Sequence, residues 1–457
     1  MNSMENILDS VKNVHFIGIG GSGMCPMAEI LQSKGYKVSG SDNYISDTLK
    51  RIMDGDIKIY LDHDAINIGN ADLVVYSAAI KEDNVERAAA TQAGIPCIER
   101  SVMLGLLCAK YANPIAVSGT HGKTTTTAML AQILTMAQKD PTAIIGGKLP
   151  FFYGNSRVGN SETIVCEACE YVDSFLAITP SIAVITNVEA DHLDYFKTLD
   201  NVISSFHKFA QRATGCVFVN GDDENSLRAA KDLSVPVITF GLSRNNTYYA
   251  ENVSDENTPF ASFTLMKSGE KIADIKLSVP GKYNVYNAVA AAAIAHYMGI
   301  AGGDISTALG AFTGVHRRFE VLGEVNGITV ADDFAHHPTE ITSVLTAASK
   351  MGFNRVIAVF QPHTYSRTAD FLNEFAEALS IADITVLSEI LAVREVNTRN
   401  VHSEDLAAKI KNCICLRTFE EITDCIEKIA CPGDLVLTMG GGNVYVCANM
   451  ILARLSE

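Results

Sequence analysis

A chain of 457 residues is about three times the ~150-residue length of an ordinary domain, so it divides into two or three domains with cores of their own and is no small cross-linked scaffold. Its 36 Lys+Arg against 52 Asp+Glu leave a net charge of −16, a field that repels nucleic-acid backbones and anionic membrane surfaces. With 47% hydrophobic and 19% charged residues the composition is that of a globular chain, and its apolar runs, such as Ala288 to Ala295, stop short of the ~20 residues a membrane span requires.

The opening segment, Met1 to Lys12, carries acidic residues and no extended apolar stretch, which predicts a cytoplasmic protein without a leader. Eleven cysteines are an odd number, scattered through apolar segments (Cys97, Cys108, Cys216, Cys425, Cys447), as expected of reduced thiols in a core. Cys166 and Cys169 form a C-x-x-C with no second pair at zinc spacing, and read as packing at a strand end.

In chain order, short β-branched runs alternate with Ala- and Leu-rich helical stretches. Strands are predicted at Val14 to Ile19, Val38 to Ser41, Leu73 to Tyr76, Ile115 to Ser118, Thr163 to Glu167, Ile182 to Thr186 and Cys216 to Asn220. That rhythm predicts βαβ units and mainly parallel sheets. The pattern restarts at His15, at Pro114-Ile115 and after Arg317-Arg318, where Val330, Val356 to Phe360 and Ile384 to Leu387 begin a last series. The expected fold is α/β in three domains, 1–112, 113–316 and 317–457, the first and last Rossmann-like and the central one of phosphate-loop type. Alternation from Tyr248 to Val279 around Lys267-Ser268-Gly269-Glu270 predicts an appended β-hairpin.

The first strand runs into Gly18-Ile19-Gly20-Gly21-Ser22-Gly23, a helix from Met24 to Lys34 follows, and Asp42 ends the next strand. Such a loop turns tightly, exposes backbone N–H groups to a diphosphate at a helix N-terminus, and sets an acid where a ribose or base lies. The pattern serves a dinucleotide or a nucleotide diphosphate equally.

The strand Ile115 to Ser118 ends in Gly119-Thr120-His121-Gly122-Lys123-Thr124-Thr125-Thr126-Thr127, before a helix expected from Ala128 to Ala137. Here Lys123 neutralises the transferred phosphate and a hydroxyl of Thr124 or Thr125 reaches Mg²⁺. Val117 stands where the strict phosphate-loop pattern has glycine, so this is a shortened variant. Glu167 closes a neighbouring strand, and Asn187-Val188-Glu189-Ala190-Asp191-His192 follows another. Parallel sheets supply metal-binding oxygens at such ends, which favours Glu167 as a ligand. His192 reads equally as a ligand or as a histidine bonded in a turn.

Further on, Asn284 and Asn287 share one helical face after Pro280-Gly281-Lys282, as an N-cap or as a pair of amides that read a base. His316-Arg317-Arg318-Phe319-Glu320 sets two guanidiniums at a domain joint, suited to clamping phosphate. Asp332-Asp333-Phe334-Ala335-His336-His337-Pro338-Thr339-Glu340 and Gln361-Pro362-His363-Thr364-Tyr365-Ser366-Arg367 concentrate His, Asp and Arg behind two strands, the composition of an anionic-substrate pocket.

Taken together, these segments, with Glu167-Ala168-Cys169-Glu170-Tyr171, Glu189 to Asp194 and Gly281 to Asn287, resemble the Mur ligases across most of the chain and in the family's order. The resemblance implies domains for UDP-sugar, ATP and amino acid, and reassigns the first glycine loop to a UDP diphosphate. It implies that ATP phosphorylates the lactyl carboxylate of UDP-N-acetylmuramate and that L-alanine attacks the acyl phosphate through a tetrahedral intermediate. By the same implication Gly119 to Thr125 hold ATP, Lys123 offsets charge on its γ-phosphate, Thr124 and Glu167 hold Mg²⁺, and His192 serves a second Mg²⁺. Asn284, Asn287 and Asp333 would hold adenine and ribose, Arg317 or Arg318 the phosphates, and His336 with Arg367 the alanine carboxylate. Gly20, Gly21, Ser22 and Gly23 would cradle the diphosphate, Asp42 the uridine, with Ser77 of Tyr76-Ser77-Ala78-Ala79-Ile80 assisting.

The chain departs from the family pattern at Thr364, where some members carry arginine, and at Met439-Gly440-Gly441-Gly442-Asn443. Neither Lys197 nor Lys208 aligns with the carbamylated lysine of sister ligases, and none is expected to be needed. The competing readings are a ligase that adds a whole tripeptide to the same nucleotide, an NAD-dependent oxidoreductase built on the first loop, and an ATP-hydrolysing switch.

Overall fold

The computed structural model describes residues 6–53, 55–254, 259–393 and 395–456. The chain forms two compact units, one of residues up to Tyr249 with 267–269 and 289–305, the other of 250–266, 270–288 and 306 onward.

The first unit holds two sheets. One has five strands in the order Lys58–Tyr60, Lys37–Ser41, Asn13–Ile17, Leu73–Tyr76, Cys97–Glu99, parallel throughout. The sequence order reverses on the two sides of Asn13–Ile17, and at such a switch point the loops leaving neighbouring strand ends part to open a crevice. The Gly18–Gly23 loop leaves there. In seven consecutive strands of the second, ten-stranded sheet the order runs Val237–Gly241, Cys216–Asn220, Ile182–Ile185, Asn113–Ser118, Thr163–Glu167, Thr142–Leu149, Gly154–Arg157. The pairs among these seven are parallel except the last, which is antiparallel. Asn113–Ser118 is again the reversal point, and the phosphate loop follows it.

Inner strands such as Leu73–Tyr76 and Ile182–Ile185 read as continuous apolar runs because both faces are covered. A single apolar cluster takes in Phe16, Leu107 and Tyr111 together with Phe175, Phe206 and Phe209. The rings of Phe175 and Phe209 stack at 4.8 Å and Phe206 meets Phe175 edge-on at 5.3 Å. This shared core makes one unit of two sheets.

The second unit carries a six-stranded sheet ordered Glu320–Val325, Ile328–Asp333, Asp434–Met439, Arg355–Phe360, Ile384–Leu387, Cys413–Cys415. Only the first strand is antiparallel to its neighbour. Side chains alternate: Val356, Ala358 and Phe360 enter one apolar cluster, Ile357 and Val359 the other, so helices cover both faces. Asp333 and Phe360 both pair with Met439, which brings the three segments that leave these strands to one edge.

Two local readings change in the structure. The helix after the phosphate loop starts at Lys123, not Ala128, and runs to Met136. Gly122 takes φ 83° and turns the chain directly into the helix, while burial overrides the weak helix preference of the four threonines. Asn284 is no N-cap: it is the second residue of the helix Tyr283–Tyr297. The hairpin forms as expected from Phe260–Lys267 and Glu270–Pro280, with Ser268 at φ 48° and Gly269 at φ 91° as a two-residue turn needs; residues 255–258 of that segment lie outside the described residues. Among the described residues, no helix is long and apolar enough to cross a membrane.

Candidate functional site

The first glycine loop is fixed by its own backbone. Gly18 takes φ 80°, and the N–H groups of Gly18 and Ile19 donate to the Ser41 carbonyl at 2.8 and 3.0 Å. Asp42, next in the chain, accepts from Gly20 N at 2.9 Å and from Tyr44 N at 3.0 Å, so the acid and the loop form one structure. Ser77 Oγ accepts from Ala79 N at 3.3 Å beside Gly18. Gly21, Ser22, Gly23 and Ser77 line a cavity of about 320 Å³ that also meets Arg100, Gly146 and Glu167. Arg100 escaped the sequence reading; its guanidinium lies so close to Gly23 that a Cβ there would stand 2.8 Å from Nη1.

At the second loop, Lys123 opens its helix and Nζ donates to the carbonyls of Gly119 at 2.5 Å and Thr120 at 3.0 Å. Its counter-ion is Glu170, with oxygens 2.9 and 3.0 Å away. Burial pulls the Lys123 ammonium down, but the charge of Glu170, with Cys169 and Glu167, more than reverses this and raises it. The side chain therefore stays a cation. Gly119 is required at its φ of 137°, because a Cβ would fall 1.9 Å from Thr186 Oγ1. Thr120 Oγ1 accepts from Glu189 N at 2.9 Å and His121 N donates to Asn187 Oδ1 at 2.8 Å, which ties the loop to the next strand end.

Thr124 Oγ1 donates to Glu167 Oε2 at 3.1 Å, and Gly146 N donates to the other oxygen of Glu167. Thr125, on the same turn, is 8% exposed. His192, at φ 53°, sets Nε2 3.8 Å from Glu170 and 3.7 Å from Asp191, with its ring 4.7 Å from that of Tyr171. A hydroxyl and a carboxylate side by side at the mouth of a phosphate loop are the hard oxygen donors that Mg²⁺ prefers, so these residues fit the ion. Glu170 is the group sequence reasoning missed here; its only signal was its place after Glu167 in one short motif.

Asn284 Nδ2 donates to the Pro280 carbonyl at 2.7 Å and its Oδ1 accepts from Asn287 at 3.0 Å, so the pair meets in the second unit. Asp333 accepts from the N–H groups of Phe319 and Ala335, each at 2.7 Å. Burial pushes its carboxyl up to about 6, against the pull of Arg318.

The two arginines differ. Arg317 Nε donates to Asp332 at 2.8 Å, Nη2 to Gly440 O at 2.7 Å and Nη1 to Gly442 O at 2.9 Å. Arg318 pairs loosely with Glu340 at 4.0 Å and lies 5.3 Å from the Phe334 ring. The rings of His336 and His363 stand 5.9 Å apart, and Arg367 Nη1 is 3.4 Å from His363 Nδ1. Gly441 packs against both rings, where a Cβ would come within 3.2 Å of His336. Thr364, at φ 67°, caps the helix Tyr365–Asp370 by accepting from Arg367 N at 3.4 Å. The glycine run 440–442, read from sequence only as a departure, is thus what fixes Arg317 and floors the histidine pair.

Three family models match in succession: "Mur ligase family, catalytic domain" over residues 13–112, "Mur ligase middle domain" over 117–295 and "Mur ligase, glutamate ligase domain" over 317–442. The chain is 46% identical over 456 residues to a UDP-N-acetylmuramate--L-alanine ligase of Acetivibrio thermocellus, covering 98% of this chain and 97% of that one. It is 46% identical over 449 residues to the protein of the same name from Agathobacter rectalis, covering 97% and 98%. Among solved structures, the UDP-N-acetylmuramate-alanine ligase of Thermotoga maritima superimposes with a TM-score of 0.81 at 30% identity, over 97% of this chain and 99% of that one. A murein peptide ligase from Psychrobacter arcticus does so at 0.75 and 27%, over 98% and 99%.

Proposed function

The chain belongs to the Mur ligase family, and from that premise we infer that it is an ATP-dependent ligase joining L-alanine to the lactyl carboxylate of UDP-N-acetylmuramate, in peptidoglycan precursor synthesis. The relatives support it at 46% identity over nearly their whole length. The observation that carries the reading within the molecule is the cavity that Gly21–Gly23 and Glu167 share. A nucleotide-diphosphate loop and a metal-type carboxylate that face one space suit phosphoryl transfer to a group carried on the nucleotide.

A carboxylate is a poor electrophile because its oxygen leaves badly. Transfer of the γ-phosphoryl group to that oxygen makes phosphate the leaving group; the L-alanine amine adds to the acyl carbon, and collapse of the tetrahedral intermediate expels phosphate and leaves the amide. The first step sets two anions against each other, so fixed positive charge at the γ-phosphate is the main requirement.

Lys123, held as a cation by Glu170, supplies that charge, with backbone donors from Gly119 and Gly122, while the N–H groups of Thr120 and His121 tie the loop to Asn187. Thr124 and Glu167, with His192 near Glu170, would hold Mg²⁺, which when bound supplies further charge neutralisation on the phosphates. The N–H groups of Ser22 and Gly23 take the UDP diphosphate on a turn that the Gly20 and Gly21 N–H groups hold by donating to Asp42 and to the Gly18 carbonyl, with Asp42 and Ser77 on the nucleoside side. Asn284, Asn287 and Asp333 take adenine and ribose, Arg318 takes phosphate while Arg317 braces the segment beside it, and His336 with Arg367 takes the alanine carboxylate. We assign these roles to segments 1–112, 113–316 and 317–457 and place the enzyme in the cytoplasm.

The test is phosphate release from ATP and Mg²⁺ with UDP-N-acetylmuramate under three conditions: no amine, L-alanine, or an L-alanyl-γ-D-glutamyl-diamino acid tripeptide. Release that depends on L-alanine is the expected result. Release with tripeptide alone would move the protein to the recycling reaction, and release without amine would make it a hydrolase.

A further inference from the structure

Loop N–H groups converge on a phosphate only if the loop's carbonyls are drawn the other way. In the Gly18–Gly23 loop two carbonyls are so drawn by side chains. Ser46 Oγ donates to Gly20 O at 3.0 Å, and Asn155 Nδ2 donates to Ser22 O at 2.6 Å. The second donor comes from 133 residues away in sequence, on the strand Gly154–Arg157 of the second sheet.

Asn155 is 3% exposed and its carboxamide is held at both ends. Its Oδ1 accepts from Arg51 Nη2 at 3.4 Å. The same nitrogen donates to Ser156 Oγ at 3.0 Å and to Glu29 at 2.7 Å, and Ser156 Oγ closes on Glu29 at 2.6 Å. The strand makes room for this guanidinium at Gly154, where a Cβ would fall 1.8 Å from Arg51 Nη1. The partner strand Thr142–Leu149 carries Gly146, whose N–H holds Glu167, at a register shift between Ile144 and Leu149. One two-stranded ribbon therefore fixes both the glycine loop and the carboxylate across the same cavity.

We propose that Asn155, oriented by the Arg51–Glu29 pair, is a positioning residue that aims the Ser22 peptide of the diphosphate loop and thereby sets affinity for the UDP-sugar. This rests on the ligase reading above. Asn155→Asp keeps the shape and removes the donor; Arg51→Lys removes the fork that orients the amide.

Loss of one such bond is worth about ten-fold in binding. In both variants the KM for UDP-N-acetylmuramate and its Kd measured calorimetrically without ATP should rise by about that factor. The KM values for ATP and L-alanine should stay within about two-fold, and deuterium uptake in peptide 18–24 should quicken. A lower melting temperature with an unchanged Kd would overturn the proposal in favour of simple packing, and an equal rise in the KM for ATP would place the effect at Glu167. Absence of UDP-N-acetylmuramate binding by the unmodified protein would instead sink the ligase reading, so the two failures are distinct.

Discussion

Replacing Glu86 with glutamine removes the charge from a wholly buried carboxylate under the first sheet. Ser41 Oγ donates to it at 2.5 Å and Asn67 Nδ2 at 2.8 Å, His63 Nδ1 lies at 3.0 Å, and His15 Nε2 stands 3.7 Å away. Burial pushes this carboxyl up, but the nearby His15 ring and the hydrogen bonds with Ser41, Asn67 and His63 outweigh it and hold the group at about 2, against an ordinary 4.5. That difference corresponds to about 3 kcal/mol at neutral pH. Because the folded value is depressed, the stabilisation is fully present above the unfolded value of 4.5 and declines as pH falls toward 2, with about 2 of those kcal/mol gone by pH 3. Ser41 leads into Asp42, so the opening of interest is local, and a chain of several domains does not unfold in two states. Native-state deuterium exchange, read in peptides covering 13–17 and 37–41, gives that local opening free energy. Glu86→Gln should lower it by about 3 kcal/mol at pH 6.5, with the gap to the unmodified protein closing to about 1 kcal/mol at pH 3. A gap of equal size at both pH values would refute the claim that the charge, and not the shape, is what the four partners hold.

Other perturbations separate the roles assigned to single residues. Lys123→Ala should lower kcat by about 10²–10³-fold or more while the Kd for UDP-N-acetylmuramate, measured calorimetrically, is unchanged. Gly146→Ala would set a Cβ 2.6 Å from Glu167 Oε2; we expect the Mg²⁺ concentration for half-maximal activity to rise by about ten-fold, with the KM for L-alanine unaffected. The adjacent arginines should part in a melting and rate comparison. Arg317→Met strands Asp332, which is 1% exposed, and should cost about 3–5 kcal/mol of stability, whereas Arg318→Met should leave melting nearly unchanged and raise the KM for ATP.

Much of this site was legible because its parts obey local rules. A tight turn between a strand and a helix demands glycine, so Gly18 to Gly23 and Gly119 to Gly122 announce their geometry before any ligand is known. Glu167 was legible because it ends a strand beside the phosphate loop. What stayed hidden depends on pairs that no local rule joins. Asn155 meets Ser22, and Glu170 and not some other acid meets Lys123, only because sheet order brings those strand ends together. Arg317 and Arg318 are the same residue type at consecutive positions. What tells them apart is a pair of carbonyls at Gly440 and Gly442, 123 and 125 residues further on.

The net charge of −16 gave the least guidance to a site that handles two nucleotides, and the structure explains why. Several fixed cations come with an acid: in the first unit Lys123 with Glu170 at 2.9 Å and Arg51 with Glu29 at 2.7 Å, and in the second Arg317 with Asp332 at 2.8 Å. A cation drawn from water with no partner tends to lose its proton or to swing back to solvent. Paired with a buried carboxylate it keeps both its charge and its direction, and the pair as a whole adds nothing to the net count. The excess of acid outside such pairs then sets the long-range field, while binding of an anion depends on how a few held cations and backbone N–H groups are aimed. Overall charge therefore argues against partners such as nucleic acid but does not locate a phosphate site; glycine placement is what points to one.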